Sequence, residues 1–498
     1  MKTLTVNAIL IAFTKGGHMS FNWSIFIDLG IISLALLIVT FVKARIKLFE
    51  RYLIPNSIIA GFLLLPFYSY IGPLIGIQTE GLRNLVFHLL NLSFIAMSLR
   101  TRRRKASGKG IFSMVIVILS QYSLQSLVGL GITFLFIITI IPNLFPSFGL
   151  LITLGYALGP GQALSIGAGW EEFGFYGGGS VGLTFASVGF LWACFGGIIL
   201  INRAKQRGWI EKGDTKDQNK AVSPESTGKR NANTKKWHSA IFGTGTIDPM
   251  AYNLAIVLGI YLVTFLLLKL ITHLLSMAGD VGMDFAEGLW GIAFIFASII
   301  AVGVKKLFFH FGADTTIDNE RLSRIAGTSI DIMVAAAIGA ISLVVVAHYW
   351  LPLTVMNILG GIITMVTVLW FSSRIFRDYT FYRTILIFGA MTGTLPTGLA
   401  LLRMVDHDFE TPASSDYMFA VGVMFIFAIP FIVSMNFPAY GYTQGRPIYY
   451  WATFLIYLAY LLFVLIAFRI IVGKGAFKNA GKIWLEKSKD NTNTRQDG

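Results

Sequence analysis

Eleven apolar runs, each 16 to 30 residues long, occupy most of this 498-residue chain and are separated mainly by short basic loops. They lie at about 22–42, 53–71, 84–99, 112–141 and 180–202 in the first half, and at about 250–276, 286–304, 326–347, 353–372, 416–436 and 449–472 in the second. Crossing the hydrocarbon core of a bilayer takes about 20 apolar residues in a helix. No water reaches the backbone there, so each run has to satisfy its own amides and carbonyls as a helix. Composition agrees, with 55% hydrophobic and 13% charged residues, against the quarter of charged residues usual in soluble domains. The sequence predicts an all-α polytopic membrane protein.

Two further apolar segments, about 147–169 and 385–403, are broken by glycine and proline. The first contains Leu158-Gly159-Pro160-Gly161-Gln162-Ala163-Leu164-Ser165, and the second Gly393-Thr394-Leu395-Pro396-Thr397-Gly398-Leu399-Ala400. Proline removes a helix hydrogen bond and glycine lowers helix propensity, so backbone groups are freed at both places. In lipid such groups survive only inside protein or against a watery cavity. Paired breaks at matching positions of two halves point to the binding site of a secondary transporter.

Parity fixes the expected topology. If both broken segments are hairpins that enter and leave on one side, 34 of the 40 Lys and Arg residues fall on a single face, in the loops 43–51, 100–109, 203–247, 305–324, 374–383 and the tail from Arg469. Such a bias marks the cytoplasmic face. The order of elements is then an extracytoplasmic segment 1–21, a repeat over 22–202 with five helices and a re-entrant hairpin at about 147–169, and a cytoplasmic linker 203–247. A second repeat of the same plan, inverted, covers 248–436 with its hairpin at about 385–403, followed by an extra helix at 449–472 and a cytoplasmic tail 473–498. The N-terminus is then expected outside and the C-terminus inside, in a membrane facing the cytoplasm. Lys15-Gly16-Gly17-His18 follows the first apolar stretch in place of a small-residue cleavage site, so no removed signal peptide is expected. The polar linker reads as a solvated loop and topology signal. The net charge of +15, so distributed, implies contact with membrane lipids rather than with nucleic acid.

Two hairpin tips meeting near the midplane would present helix N-termini to anionic groups and loose carbonyls to a cation. The expected substrate contacts are the backbone at Gly159, Pro160, Gly161, Pro396 and Gly398 together with the side chains of Gln162, Ser165, Thr394 and Thr397. Arg403 follows the second tip; its planar fork suits a carboxylate, and it equally suits an anchor at the cytoplasmic boundary, with Asp406 as a gate partner or an exposed loop residue beside Asp408 and Glu410. Asp331 stands inside an apolar run, where a carboxylate is costly, and reads as a cation site or as a snorkelling side chain. Glu171 and Glu172 after the first tip read as a cation site or an external loop. Asn91, Lys269 and Asp28 are weaker candidates, better explained by helix packing, snorkelling and interfacial placement. Cys194 stands alone, which excludes an internal disulfide. No histidine pair has metal-ligand spacing and no phosphate-binding glycine loop is present, so neither a cofactor nor a metal beyond a transported ion is implied.

These segments resemble the bacterial glutamate:sodium symporter family over about 22–436. The resemblance rests on Gly159 to Ser165, on Gly182-Leu183-Thr184-Phe185-Ala186-Ser187-Val188-Gly189-Phe190, on Pro396-Thr397-Gly398-Leu399-Ala400, and on ten spans with two re-entrant hairpins. It implies sodium-coupled uptake of L-glutamate, with substrate and sodium at the hairpin tips, and an elevator-type motion against a dimerising scaffold, so a homodimer. Where the family usually has His-Gly-Thr at the first tip this chain has Pro160-Gly161-Gln162, and Gly398-Leu399-Ala400-Leu401 replaces Ala-x-Ala-Asn at the second. The expected function is therefore sodium-coupled uptake of L-glutamate or a related small carboxylate. A proton-coupled or exchanging carrier of a dicarboxylate or hydroxycarboxylate is the alternative, and a membrane sensor or enzyme without transport a second one.

Overall fold

The computed structural model describes residues 23–45, 55–100, 108–210, 247–277, 286, 289–290, 293–313, 316–406, 411–473 and 475–485. Among the described residues 82% are helical and none is in a strand. In chain order the principal helices are α1 (Ser24–Arg45), α2 (Asn56–Pro66, prolonged by short turns to Ile75), α3 (Glu80–Leu99), α4 (Gly108–Thr139), α5 (Pro160–Gly169), α6 (Gly178–Leu191), α7 (Gly197–Arg207), α8 (Pro249–Ser276) and α9 (Ala293–His310). They continue as α10 (Asn319–Gly339), α11 (Leu343–His348), α12 (Trp350–Ile375), α13 (Thr380–Thr392), α14 (Leu395–Arg403), α15 (Ala413–Ser434), α16 (Phe437–Thr443) and α17 (Ile448–Val472). Ten helices among the described residues are long and apolar enough to cross a bilayer, as in a multi-pass membrane protein. The remaining expected span, 416–436, is taken up by α15. Some boundaries differ from the expected runs: α9 continues past 304 to His310, and α10 stops at Gly339 with Leu343–His348 a separate short helix where one run to 347 is expected. The run expected from 326 starts as α10 at Asn319, because the Asp318 carboxylate accepts from the amide of Glu320 at 2.8 Å and caps the helix early.

Helix packing divides the chain into two compact units, each drawing on both halves of the sequence. The first comprises residues 1–103, 160–187 and 216–350. In it α3 packs on α10 and α9, α10 on α2, α1 on α2 and α8 on α9, with lighter contacts of α1 with α3 and α10 and of α8 with α3 and α10. Between apolar helices in lipid, close van der Waals packing rather than the hydrophobic effect holds such pairs. Small residues permit it: a Cβ on Gly61 would lie 2.6 Å from Ile338 Cβ, and one on Gly339 3.0 Å from Leu64 Cβ. At one end of this unit Lys305 Nζ donates to the carbonyls of Ser98 (2.8 Å) and Arg100 (3.2 Å) and so closes the C-terminus of α3, while Asn253 Oδ1 accepts from the amide of Asp318. The opposite end holds the Tyr68 hydroxyl on Asp28 (2.6 Å) and the Arg83–Glu171 ion pair.

The second unit comprises residues 104–159, 188–215 and 351–498. Here α4 packs against α17, α15 and the short helical segment Phe148–Leu150. Gly129 and Gly149 touch backbone to backbone, and Thr133 Oγ1 accepts from the amide of Gly149 at 2.9 Å. One end is tied by ionic and aromatic contacts. Arg383 donates to Asp416 at 2.7 Å with both side chains at most 2% exposed, and Gly110 leaves the space they fill. Residues 475–485 lie across the same end: Arg374 donates to the carbonyls of Asn479 and Lys482, Trp370 Nε1 to that of Ala480, and Trp484 stacks on Trp209 with ring centres 4.4 Å apart. The sequence places Arg374 and Arg383 in a basic cytoplasmic loop and makes everything past 473 a tail. The structure instead buries both arginines and builds part of the tail into the unit, because a guanidinium with several acceptors can be buried where an unpaired one cannot.

Candidate functional site

Each expected break is a break in the helices. In the second unit α13 ends at Thr392, Gly393 leaves the helical region, and Thr394 is extended (φ −142°, ψ 167°) before α14 starts with Pro396 in its first turn. The limbs fold back on one another through glycine: a Cβ on Gly389 would lie 2.7 Å from Gly398 Cα, and one on Gly398 2.5 Å from the Leu386 carbonyl. Thr394 and Thr397 bring their hydroxyls to 3.3 Å, with Thr397 buried. Arg403 does not join them. It lies exposed at the far end of α14, six residues beyond Thr397, or about 9 Å at the rise of an α-helix. Asp406 accepts from the amide of Thr411 at 3.0 Å and from its hydroxyl. Asp408 and Glu410 lie outside the described residues.

The first break is sharper. Gly159 has φ +99°, a conformation that a residue with a Cβ rarely adopts, and its amide closes a wide turn onto Leu154 at 2.8 Å. Pro160 then opens α5, where its missing N–H costs nothing. Within the first unit α5 lies on α3 and on the start of α6. A Cβ on Gly161 would lie 2.6 Å from Leu90 Cδ1, and one on Gly182 2.4 Å from the Ala163 carbonyl. Gln162 and Ser165 are buried on this helix.

Beside the second break sits a group of polar side chains that the sequence reading did not single out. Gln125 of α4 is 1% exposed and donates through Nε2 to Thr364 Oγ1 (2.8 Å) and to the Met391 carbonyl (3.1 Å). That carbonyl is one of the orphan acceptors left at the end of α13, so Gln125 caps the break from a neighbouring helix. Its Oε1 has no partner among the described residues. Gln121 accepts from Thr367 (2.8 Å), Ser126 bonds Thr153 (2.8 Å), and the Tyr156 hydroxyl and Trp192 Nε1 both reach the Asn357 carbonyl. Two glutamines four residues apart within an apolar run were the available signal, since a polar side chain in a membrane helix seeks a partner on another helix.

In the first unit Asp331 sits in mid-helix on α10, exposed, with Oδ1 accepting from Ser57 at 3.2 Å. Twelve residues separate it from the start of α10, about 18 Å along the axis, so it lies deeper than a side chain at the helix end. Glu171 accepts through one oxygen from Arg83 (2.8 Å) and from the amide of Gly179 (2.9 Å), while Glu172 is exposed. A cavity of about 600 Å³ opens beside this pair, lined by Gln78, Glu80, Arg83, Asn84, Ser165 and Ala168 among others. Among the described residues no group of three His, Cys, Asp or Glu side chains is placed to hold a metal ion. No family model matches the chain, and no curated protein or solved structure matches it either.

Proposed function

We propose that the protein is a secondary active transporter that couples sodium to the uptake of L-glutamate or a related small carboxylate across a bacterial cytoplasmic membrane. The observation that carries this reading is the pair of helix breaks at Gly159-Pro160 and Gly393-Thr394, one in each half and both buried in polytopic surroundings. Freed backbone groups and neutral side chains at each break, Gln162 and Ser165 at one and Thr394 and Thr397 at the other, suit a ligand that must be held and then released. Sodium would be held by oxygen ligands, for which Asp331 and the carbonyls and hydroxyls at the breaks are the candidates.

Packing within the first unit supports the inverted-repeat plan. Exchanging α1 with α8, α2 with α9 and α3 with α10 turns the pair α3–α9 into α10–α2, the pair α1–α2 into α8–α9 and the pair α1–α10 into α8–α3, and all six pairs are in contact. The basic segments support the orientation: in the second unit Arg374, Arg383 and residues 475–485 share one end, which is the cytoplasmic end under the positive-inside rule. Re-entrant hairpins, an elevator motion and a homodimer complete the proposal. The test is uptake of labelled L-glutamate into proteoliposomes under a sodium gradient, with a proton gradient as control. Sodium-dependent accumulation is expected, and accumulation driven by protons alone would replace the coupling ion.

A further inference from the structure

The cavity beside Arg83 carries an inference about what enters. Its wall holds one guanidinium, Arg83, and one carboxylate, Glu80, three residues apart on α3, among the neutral polar groups Gln78, Asn84 and Ser165. Side chains three apart on a helix are neighbours, yet Arg83 bridges to Glu171. The same Glu171 oxygen is anchored by the Gly179 amide, and a Cβ on Gly179 would lie 2.8 Å from Arg83 Nη2, so the absence of a side chain there is what admits the guanidinium. Arg83 is thus oriented by a fixed carboxylate while about a third of its side chain stays exposed. An ion pair this open to water contributes little to stability, so its carboxylate is readily exchanged for another. The cavity of about 600 Å³ lies within the range of about 300–1,000 Å³ found for small-molecule pockets.

We propose that this cavity is an entry subsite for an α-amino acid, in which Arg83 takes the substrate carboxylate in exchange with Glu171 and Glu80 faces the ammonium group. The assignment rests on the transport reading and narrows its substrate class from small carboxylates to amino acids.

The experiment is uptake of labelled L-glutamate into proteoliposomes holding the full chain, under a sodium gradient, with glutarate as a competitor that lacks the ammonium group. Arg83→Gln is expected to raise KM about tenfold or more with Vmax within about twofold, as for a group that binds the substrate carboxylate. Arg83→Lys falls between the two, and Glu80→Gln narrows the preference for L-glutamate over glutarate. A purely structural ion pair would lower the yield of folded protein and Vmax but leave KM and the glutarate comparison unchanged; that result overturns the subsite. Should Arg83→Gln fail to fold, Glu171→Gln decides instead, with KM expected to fall as the guanidinium is freed, and an unchanged or higher KM counting against the proposal. Wild-type protein that takes up no L-glutamate under either gradient removes glutamate as the substrate of the transport reading and the subsite with it, whereas active wild type with an unchanged Arg83→Gln KM removes the subsite alone.

Discussion

The two broken segments look alike in sequence and are built differently. Both limbs of the second, α13 and α14, belong to one unit and pack glycine against backbone through Gly389 and Gly398, with α13 tied at its start by the buried Arg383–Asp416 pair. The first is divided: residues up to Gly159 belong to the second unit, and α5, from Pro160 onward, to the first. Its limbs therefore answer to different neighbours, Phe148–Leu150 to α4 and α5 to α3. The second break lies within one unit, whereas the first is the junction at which the chain passes from one unit to the other. Gly159, at φ +99°, stands at that junction.

This contrast can be broken, and the largest effect is expected in the second segment. Replacing Arg383 with Met leaves Asp416 buried without its cation, an arrangement that costs about 3–5 kcal/mol. The melting temperature of the purified protein in detergent should fall sharply and be partly restored by adding Asp416→Leu; an unshifted melt would show that the pair does not anchor α13. Next comes Gly398→Ala, whose methyl would meet the Leu386 carbonyl at 2.5 Å and should cost about 1–3 kcal/mol through overpacking. Gly131→Ala, with open space around it, is the neutral control in the same assay. Gly159→Ala should cost a comparable or smaller amount, about 1–2 kcal/mol for a non-glycine residue held in such a region. If it is a junction, uptake should suffer out of proportion to that cost. Gln125→Met, which removes the cap on the Met391 carbonyl, should cost about 1 kcal/mol and lower uptake by loosening the second break without touching the first.

Much of this was legible in the sequence, for reasons that also mark the limit. Helix existence follows from run length, and both breaks were readable because Gly and Pro act locally on the backbone. The gathering of basic segments at one end of the second unit follows from the same loop charges that set topology. Which face of each helix is buried was not legible: a membrane helix is apolar all round, so its sequence carries no amphipathic stripe to mark the packed side. For that reason Gln125 could not be matched to Met391, 266 residues away, nor Arg374 to Asn479 and Lys482. Asp331 stands near the start of the run expected from 326 because that run leaves out the turns that Asp318 caps, and the choice between substrate fork and boundary anchor for Arg403 stays open in the sequence because spacing alone says nothing of where a helix ends.

Sodium-driven L-glutamate uptake by Gln162→Ala and Thr397→Ala, each reconstituted at matched levels and shown to melt like the wild type, tests most directly whether each break serves transport. Both variants are expected to lose most uptake while remaining folded. Wild-type uptake in both variants would contradict this expectation.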